Sequence, residues 1–334
     1  LPRSGWASGR FDMLAISGGA AGGAYGAGAL VGLTEAGARP EFALITGVST
    51  GALIAPFAFL GSAWDDRLAD AYTGGHAADL LSLRRLASSF TGGLFQGEAL
   101  DALVHPFVDR ALIDAVAAEH APGRRLLVGA TDLDSQRSCI WDMGAIAAHG
   151  GDAAVALFRE VLAASASLPG LFPPRRIPCE VDGEKFEEMH VDGGVAAPLF
   201  LMPEALLRWN RLGRRLHRGR VHVLVNTVLE PEPRTTAPNV AAVLSRSFDA
   251  MLRFSYRQAL GTATTFCAAQ GLPISVASIP QEPDQGGMLS FDTATMKRLF
   301  DAARERGAAG ELWGAPVGGG LGLQGLIDRL RPRA

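Results

Sequence analysis

Two stretches without a single charged side chain, Met13–Thr34 and Phe42–Trp64, limit most severely what this chain can fold into. Each is long enough to tempt a membrane-spanning reading. The first, however, carries seven glycines, and the second is broken by Gly47, Gly51 and Pro56. Both fit strand–turn–helix units buried between layers. A short apolar run, Met13–Ile16, has the length and flanks of a buried strand and empties into Gly18, Gly19, Gly22 and Gly23. An apolar helical pattern follows and stops at Gly37, with Pro40 just beyond. A second buried strand, Phe42–Thr46, then leads to Gly47-Val48-Ser49-Thr50-Gly51 and a helix predicted over Thr50–Leu60, with Pro56 kinking or shortening it.

The pentapeptide is the pattern G-x-S-x-G. It sets a serine on a tight strand-to-helix turn whose small neighbours let a substrate carbonyl approach the hydroxyl. One strand earlier, the glycine cluster offers backbone N–H groups at a helix start, which suits a developing oxyanion. A nucleophile and an oxyanion cradle on successive strands make half of a serine hydrolase.

A chain of 334 residues has room for a substantial core. Its net charge of −3 and lack of a basic stripe give no reason to expect a nucleic-acid partner. Three scattered cysteines, Cys139, Cys179 and Cys267, form no CxxC pair and read as buried thiols, and the seven histidines show no metal-type spacing. Neither a metal nor another cofactor is expected. The sequence begins with Leu rather than Met. A bacterial protein, periplasmic, secreted or membrane-attached through a removed leader, is the expectation, with a cytoplasmic one as the alternative.

Residues 1–10 read as a loose arm and residues 11–334 as one domain, with a lid or subdomain over 65–125 as the alternative. Asp79–Phe95 mixes leucines, aromatics and arginines, so lipid contact and core packing compete there. Arg125–Thr131 and Ser138–Met143 read as neighbouring strands, and Gly151–Ala164 as a helix. Arg176–Val181 and Lys185–Val191 flank Asp182-Gly183 as a hairpin. The second of these runs into Asp192-Gly193-Gly194. Val221–Val228 and Ile274–Ile279 read as strands, Val240–Gln270 as a helix broken near Gly261, and Thr293–Arg306 as a surface helix. Strands alternating with helices argue for an α/β protein whose mainly parallel sheet is covered on both faces.

The serine needs a base. His217 and His222 follow Asp192 in the chain order of an α/β-hydrolase triad. That fold, however, needs more strands before its elbow than this chain has. His217 lies in a basic, solvated segment, and His222 near the start of a strand, where a structural role fits better. His190, two residues before Asp192, shares its side of the strand and reads as structural or as a partner of that aspartate.

The glycine loop after the first strand, G-x-S-x-G after the second and a later Asp-Gly-Gly together resemble the patatin-like phospholipase family. Ala164–Pro174 and Asp192–Leu199 are similar to further blocks of that family, and the similarity runs from about Met13 to Leu199. The resemblance implies a three-layer α/β/α sandwich and a lipid acyl hydrolase with a Ser–Asp dyad and no histidine. Ser49 would be the nucleophile and Asp192 the base. The amides of Gly18, Gly19, Ala20, Ala21 and Thr50 would bind the oxyanion, with Gly22, Gly23, Gly47, Gly51, Gly193 and Gly194 shaping the turns. A carboxylate is a weaker base than imidazole, so it needs burial and close contact with the hydroxyl.

The implied partner is a lipid or other ester, with peripheral membrane contact. Leu168, Leu171, Phe172 and Trp141 suggest an acyl pocket, with core packing as the competing account. The loop departs from the family pattern: Ala20 stands at a glycine position and Gly22 at a basic one. Ala20 keeps its N–H, so the cradle survives provided that position needs no positive φ. The alternatives are therefore an esterase on non-phospholipid esters and a binding protein of the same fold with weakened catalysis.

Overall fold

The computed structural model describes residues 11–80, 97–201, 219–230, 235–281 and 289–314. The N-terminal arm, His217 and most of the leucine-rich stretch that could form a lid lie outside these residues. Strand β1 (Met13–Ile16) leads through a 3-10 turn (Ala20–Gly22) into α1 (Gly23–Glu35). Strand β2 (Leu44–Val48) leads into α2 (Thr50–Leu60). Helices α3 (Asp65–Thr73), α4 (His76–Leu80), α5 (Gly97–Val104) and α6 (Arg110–His120) precede the hairpin β3 (Arg125–Asp132) and β4 (Arg137–Asp142). Next come α7 (Met143–His149), α8 (Gly151–Ser165), the hairpin β5 (Arg175–Val181) and β6 (Glu184–Asp192), and β7 (Val221–Val225). The long α9 (Val240–Gln270), β8 (Ile274–Ser278) and α10 (Thr293–Ala308) complete the described elements.

Among the described residues the eight strands form one mixed sheet in the order β5-β6-β3-β2-β1-β7-β8, with β4 also paired to β3. From β3 to β8 every pair in that order is parallel; the antiparallel pairs are β3–β4 and β5–β6 within the hairpins and β3–β6 between them. Alternation along β1 explains why its neighbourhood lacks charge. Leu14 and Ile16 enter one core with residues of α1 and α2, while Met13 and Ala15 enter a second with Tyr256, Leu260 and Ala263 of α9. The result is a three-layer α/β/α sandwich. Both charge-free stretches are strand–helix units, and among the described residues no helix is long and apolar enough to cross a membrane.

Helix α2 is not shortened at Pro56 but runs through it to Leu60. Burial of Ile54, Ala55, Phe57 and Phe59 in the core outweighs the roughly 3 kcal/mol that an interior proline costs. Helix α9 is continuous across Gly261. That glycine faces open space, while Tyr256, Leu260, Ala263 and Cys267 anchor the opposite side, so only its propensity cost of about 1 kcal/mol remains.

The register of β3 brings distant parts of the chain together. One edge of β3 pairs with β4 from Leu127 to Asp132. The other pairs with β2 as far as Val48 opposite Gly129, and from the next residue pairs with β6, Asp192 standing opposite Ala130. Strands β2 and β6 therefore run toward each other along a single edge. Their ends, separated by more than 140 residues of chain, meet on adjacent rungs.

Candidate active site

Ser49 sits where β2 gives way to α2, with φ 56° and ψ −128°. A non-glycine residue in such a sparsely populated region stores about 1–3 kcal/mol of strain. The turn is this sharp because helix and strand backbones nearly touch. A Cβ at Gly47 would stand 2.5 Å from the Gly51 carbonyl oxygen, and one at Gly51 would stand 2.4 Å from that of Ile16. The Ser49 N–H donates to Ser165 Oγ at 3.0 Å, and that hydroxyl donates to the Gly129 carbonyl at 2.7 Å. Thr50 follows at the first turn of α2, its side chain tied to the Tyr72 hydroxyl at 2.8 Å.

The glycine loop is shaped by Asn226, which follows β7. Its side-chain amide donates to the Ser17 carbonyl at 2.8 Å and its N–H to Ser17 Oγ at 2.9 Å. Its own carbonyl oxygen lies only 2.0 and 2.1 Å from where Cβ atoms on Gly19 and Gly22 would be. No basic side chain fits at Gly22 against that carbonyl. Gly23 is equally closed, since a Cβ there would meet Thr50 Oγ1 at 2.0 Å. Gly19 has φ 148°, which suits glycine, whereas Ala20 has φ 49°. Position 20 thus does take a positive φ, against the condition set for the cradle: the alanine adopts it at a cost of about 1 kcal/mol and still presents its N–H. Gly18 donates its N–H to the Pro198 carbonyl at 3.2 Å.

Asp192 is 2% exposed. Burial pushes its carboxyl up to about 6, against the opposing pull of the Ser49 side chain and of the Gly194 N–H. That N–H donates to Oδ1 at 2.7 Å. Among the described residues Oδ2 has no partner in full hydrogen-bonding geometry, while the Ser49 side chain lies close enough to pull the carboxyl down. Close packing holds the aspartate there: a Cβ on Gly193 would stand 2.3 Å from the Gly129 carbonyl oxygen. The Asp192 N–H donates to the Ser167 carbonyl at 2.9 Å. Ser165 and Ser167, two residues apart at the end of α8, therefore hold the backbones of both Ser49 and Asp192.

Ser49, Thr50, Asp192, Gly194, Gly19 and Ala20 all line one cleft. Gly18 and Ala21 are not among its lining residues. Its walls are apolar, built from Leu53, Leu100, Leu103, Leu168, Leu171, Phe172, Leu252 and Phe291. Leu168, Leu171 and Phe172 stand where an acyl pocket was expected. Trp141 does not: it packs edge-on against His190, centroids 5.7 Å apart. His190 is fully buried with Nε2 3.1 Å from Glu188 Oε2, and His222 meets Phe42 edge-on and Trp313 at a tilt. Among the described residues no histidine lines the cleft, and no three His, Cys, Asp or Glu side chains converge as metal ligands.

Sequence reasoning missed Ser165, Asn226, Tyr72 and Tyr256, the last of which lines the cleft from α9. Only Ser165 carried a signal, as part of the small-residue block at Ala164–Pro174.

A comparison with protein families matches residues 14–204 to the one described as patatin-like phospholipase. No protein of curated function matches the chain. Among solved structures, VipD from Legionella pneumophila is similar with a TM-score of 0.43 and 12% identity, over 88% of this chain and 67% of VipD.

Proposed function

The chain belongs to the patatin-like phospholipase family, and on that premise we propose that it is a lipid acyl hydrolase working through Ser49 and Asp192. Asp192 takes the proton from the Ser49 hydroxyl as Oγ attacks the ester carbonyl, giving a tetrahedral oxyanion. When that intermediate collapses, the carbon–oxygen bond to the alcohol breaks and Asp192 returns the proton to the leaving oxygen. Water, deprotonated by Asp192, then attacks the acyl carbon; the bond from that carbon to Ser49 Oγ breaks, Asp192 returns the proton to Oγ, and the acid leaves. The observation that supports this reading is the meeting of β2 and β6 on adjacent rungs of β3. It sets a buried carboxylate against the elbow serine in a cleft that no described histidine lines.

The amides of Gly19, Ala20 and Thr50 are the oxyanion donors in this proposal, because these residues line the cleft while the Gly18 amide is engaged by Pro198. Each donor is worth on the order of 10²–10³ in rate. The closed space at Gly22 favours a substrate whose recognition needs no cation at that position, which keeps neutral esters beside phospholipids. The strain at Ala20 is the observation behind the rival reading, a lipid-binding protein with weakened turnover.

Lipid contact has a candidate surface on α9, whose solvent face exposes Val240, Val243, Met251 and Phe254, the last at 70%. Leu252 and Tyr256 of the same helix reach into the cleft. Turnover of phospholipid, lysophospholipid, triglyceride and p-nitrophenyl esters by wild type and Ser49→Ala tests the hydrolase. Loss of at least about 10⁴-fold in the variant is expected, and wild-type rates in it would end the proposal. Flotation with anionic vesicles tests the surface: a Met251→Ser, Phe254→Ser double variant should float less while cleaving soluble esters normally, and unchanged flotation rejects this contact.

A further inference from the structure

The family match ends at residue 204, yet the cleft is completed by residues beyond it, and one of them carries chemistry. Tyr256 is 3% exposed, stands on α9 and lines the cleft. A Cβ built on Gly18 would lie 2.9 Å from the Tyr256 hydroxyl and 3.1 Å from Ser49 Cβ. By the sum of those two distances, the hydroxyl is within about 6 Å of the nucleophile's Cβ. The phenol also feels the charge of Asp192, and burial and that charge raise its pKa. Asp192 Oδ2 in turn has no partner in full hydrogen-bonding geometry among the described residues. The hydroxyl is therefore a donor facing the cleft, beside both reacting groups, with no hydrogen-bond partner among the described residues.

We propose that Tyr256 is a catalytic residue, donating a hydrogen bond from its phenol hydroxyl to the alcohol oxygen of the ester as that oxygen departs. The proposal rests on the serine-hydrolase reading. During collapse of the tetrahedral intermediate the electron pair of the breaking carbon–oxygen bond moves to the alcohol oxygen, which takes its proton from the Asp192 carboxyl. Tyr256 keeps its own proton throughout and only lowers the energy of the charge developing on that oxygen. Its raised pKa is the right property for a group that must donate without ionising. Simple packing is the competing account, since Tyr256 also belongs to the core between α9 and the sheet.

The test compares Tyr256→Phe with wild type on two esters of one short acyl chain, a p-nitrophenyl ester and a simple alkyl ester. The nitrophenolate leaves without help and the alkoxide does not. The proposal expects kcat/KM for the alkyl ester to fall about ten- to hundredfold, with the p-nitrophenyl rate and fluorophosphonate labelling of Ser49 within about threefold of wild type. Because the hydroxyl faces the cleft and has no partner among the described residues, the melting temperature should change little. Equal losses on both esters would assign Tyr256 to packing, and no loss on either would remove it from the reaction. Should the variant fold poorly, a series of phenyl esters normalised to labelled Ser49 decides the matter, since a donor to the leaving group predicts a steeper dependence on leaving-group pKa. Failure of the hydrolase reading itself would appear separately, as turnover that persists in Ser49→Ala.

Discussion

A base buried for function should weaken the fold that buries it, and Asp192→Asn measures by how much. Burial holds the Asp192 carboxyl at about 6 against an ordinary 3.8. Each pKa unit corresponds to about 1.4 kcal/mol, so at neutral pH ionised Asp192 opposes folding by about 3 kcal/mol. The sign follows from which state binds the proton more tightly. With the folded pKa raised, the contribution to stability is complete below about pH 3.8 and is lost as the pH rises through about 6. The amide cannot ionise, keeps the volume, and retains an oxygen for the Gly194 N–H that now meets Oδ1. Urea unfolding followed by tryptophan fluorescence should therefore show the advantage of Asp192→Asn over wild type growing by about 2 kcal/mol between pH 4.5 and pH 8. Wild-type kcat/KM should fall to half near pH 6 and about tenfold per unit well below it, whereas an ordinary aspartate would sustain activity to about pH 4. A stability difference that does not change with pH, or a variant weaker than wild type at pH 8, would refute the argument from burial.

Two further substitutions probe how the site is held. Ser165→Ala leaves the Ser49 N–H without its acceptor and the Gly129 carbonyl without its donor. It should cost about 1–3 kcal/mol of stability and at least tenfold in kcat with little change in KM. A stable, fully active variant would show that Ser165 does not position the elbow. Ala20→Gly removes the left-handed strain at φ 49° and should raise stability by up to about 1 kcal/mol while keeping or increasing ester turnover. A loss of turnover there would mean that the alanine methyl itself helps to order the loop.

Much of this architecture was legible because its chemistry is local. The elbow, the glycine loop and Asp192-Gly193-Gly194 each announce a turn through residues a few positions apart, and the strands that lead into them read as short apolar runs. The structure places all three on one cleft. What could not be read arrives through tertiary contact. Asn226 shapes the glycine loop from the end of β7, and Tyr256 reaches the cleft from the middle of α9, with no local pattern to mark either. Trp141 went astray for a related reason: its type and hydropathy suit an acyl pocket, but the register of β4 opposite β3 turns it to His190. Pro56 and Gly261 show propensity giving way to burial. The condition at Ala20 depended on one dihedral angle, which an alanine does not reveal in a sequence.

The central claim, that Asp192 alone activates Ser49, is tested most directly by the rate at which a fluorophosphonate labels the intact protein, with the modified residue located by mass spectrometry. The account predicts label on Ser49, a wild-type rate that declines below about pH 6, and a rate in Asp192→Asn lower by about 10³-fold or more. Label on a different residue, or equal rates in wild type and Asp192→Asn, would contradict it.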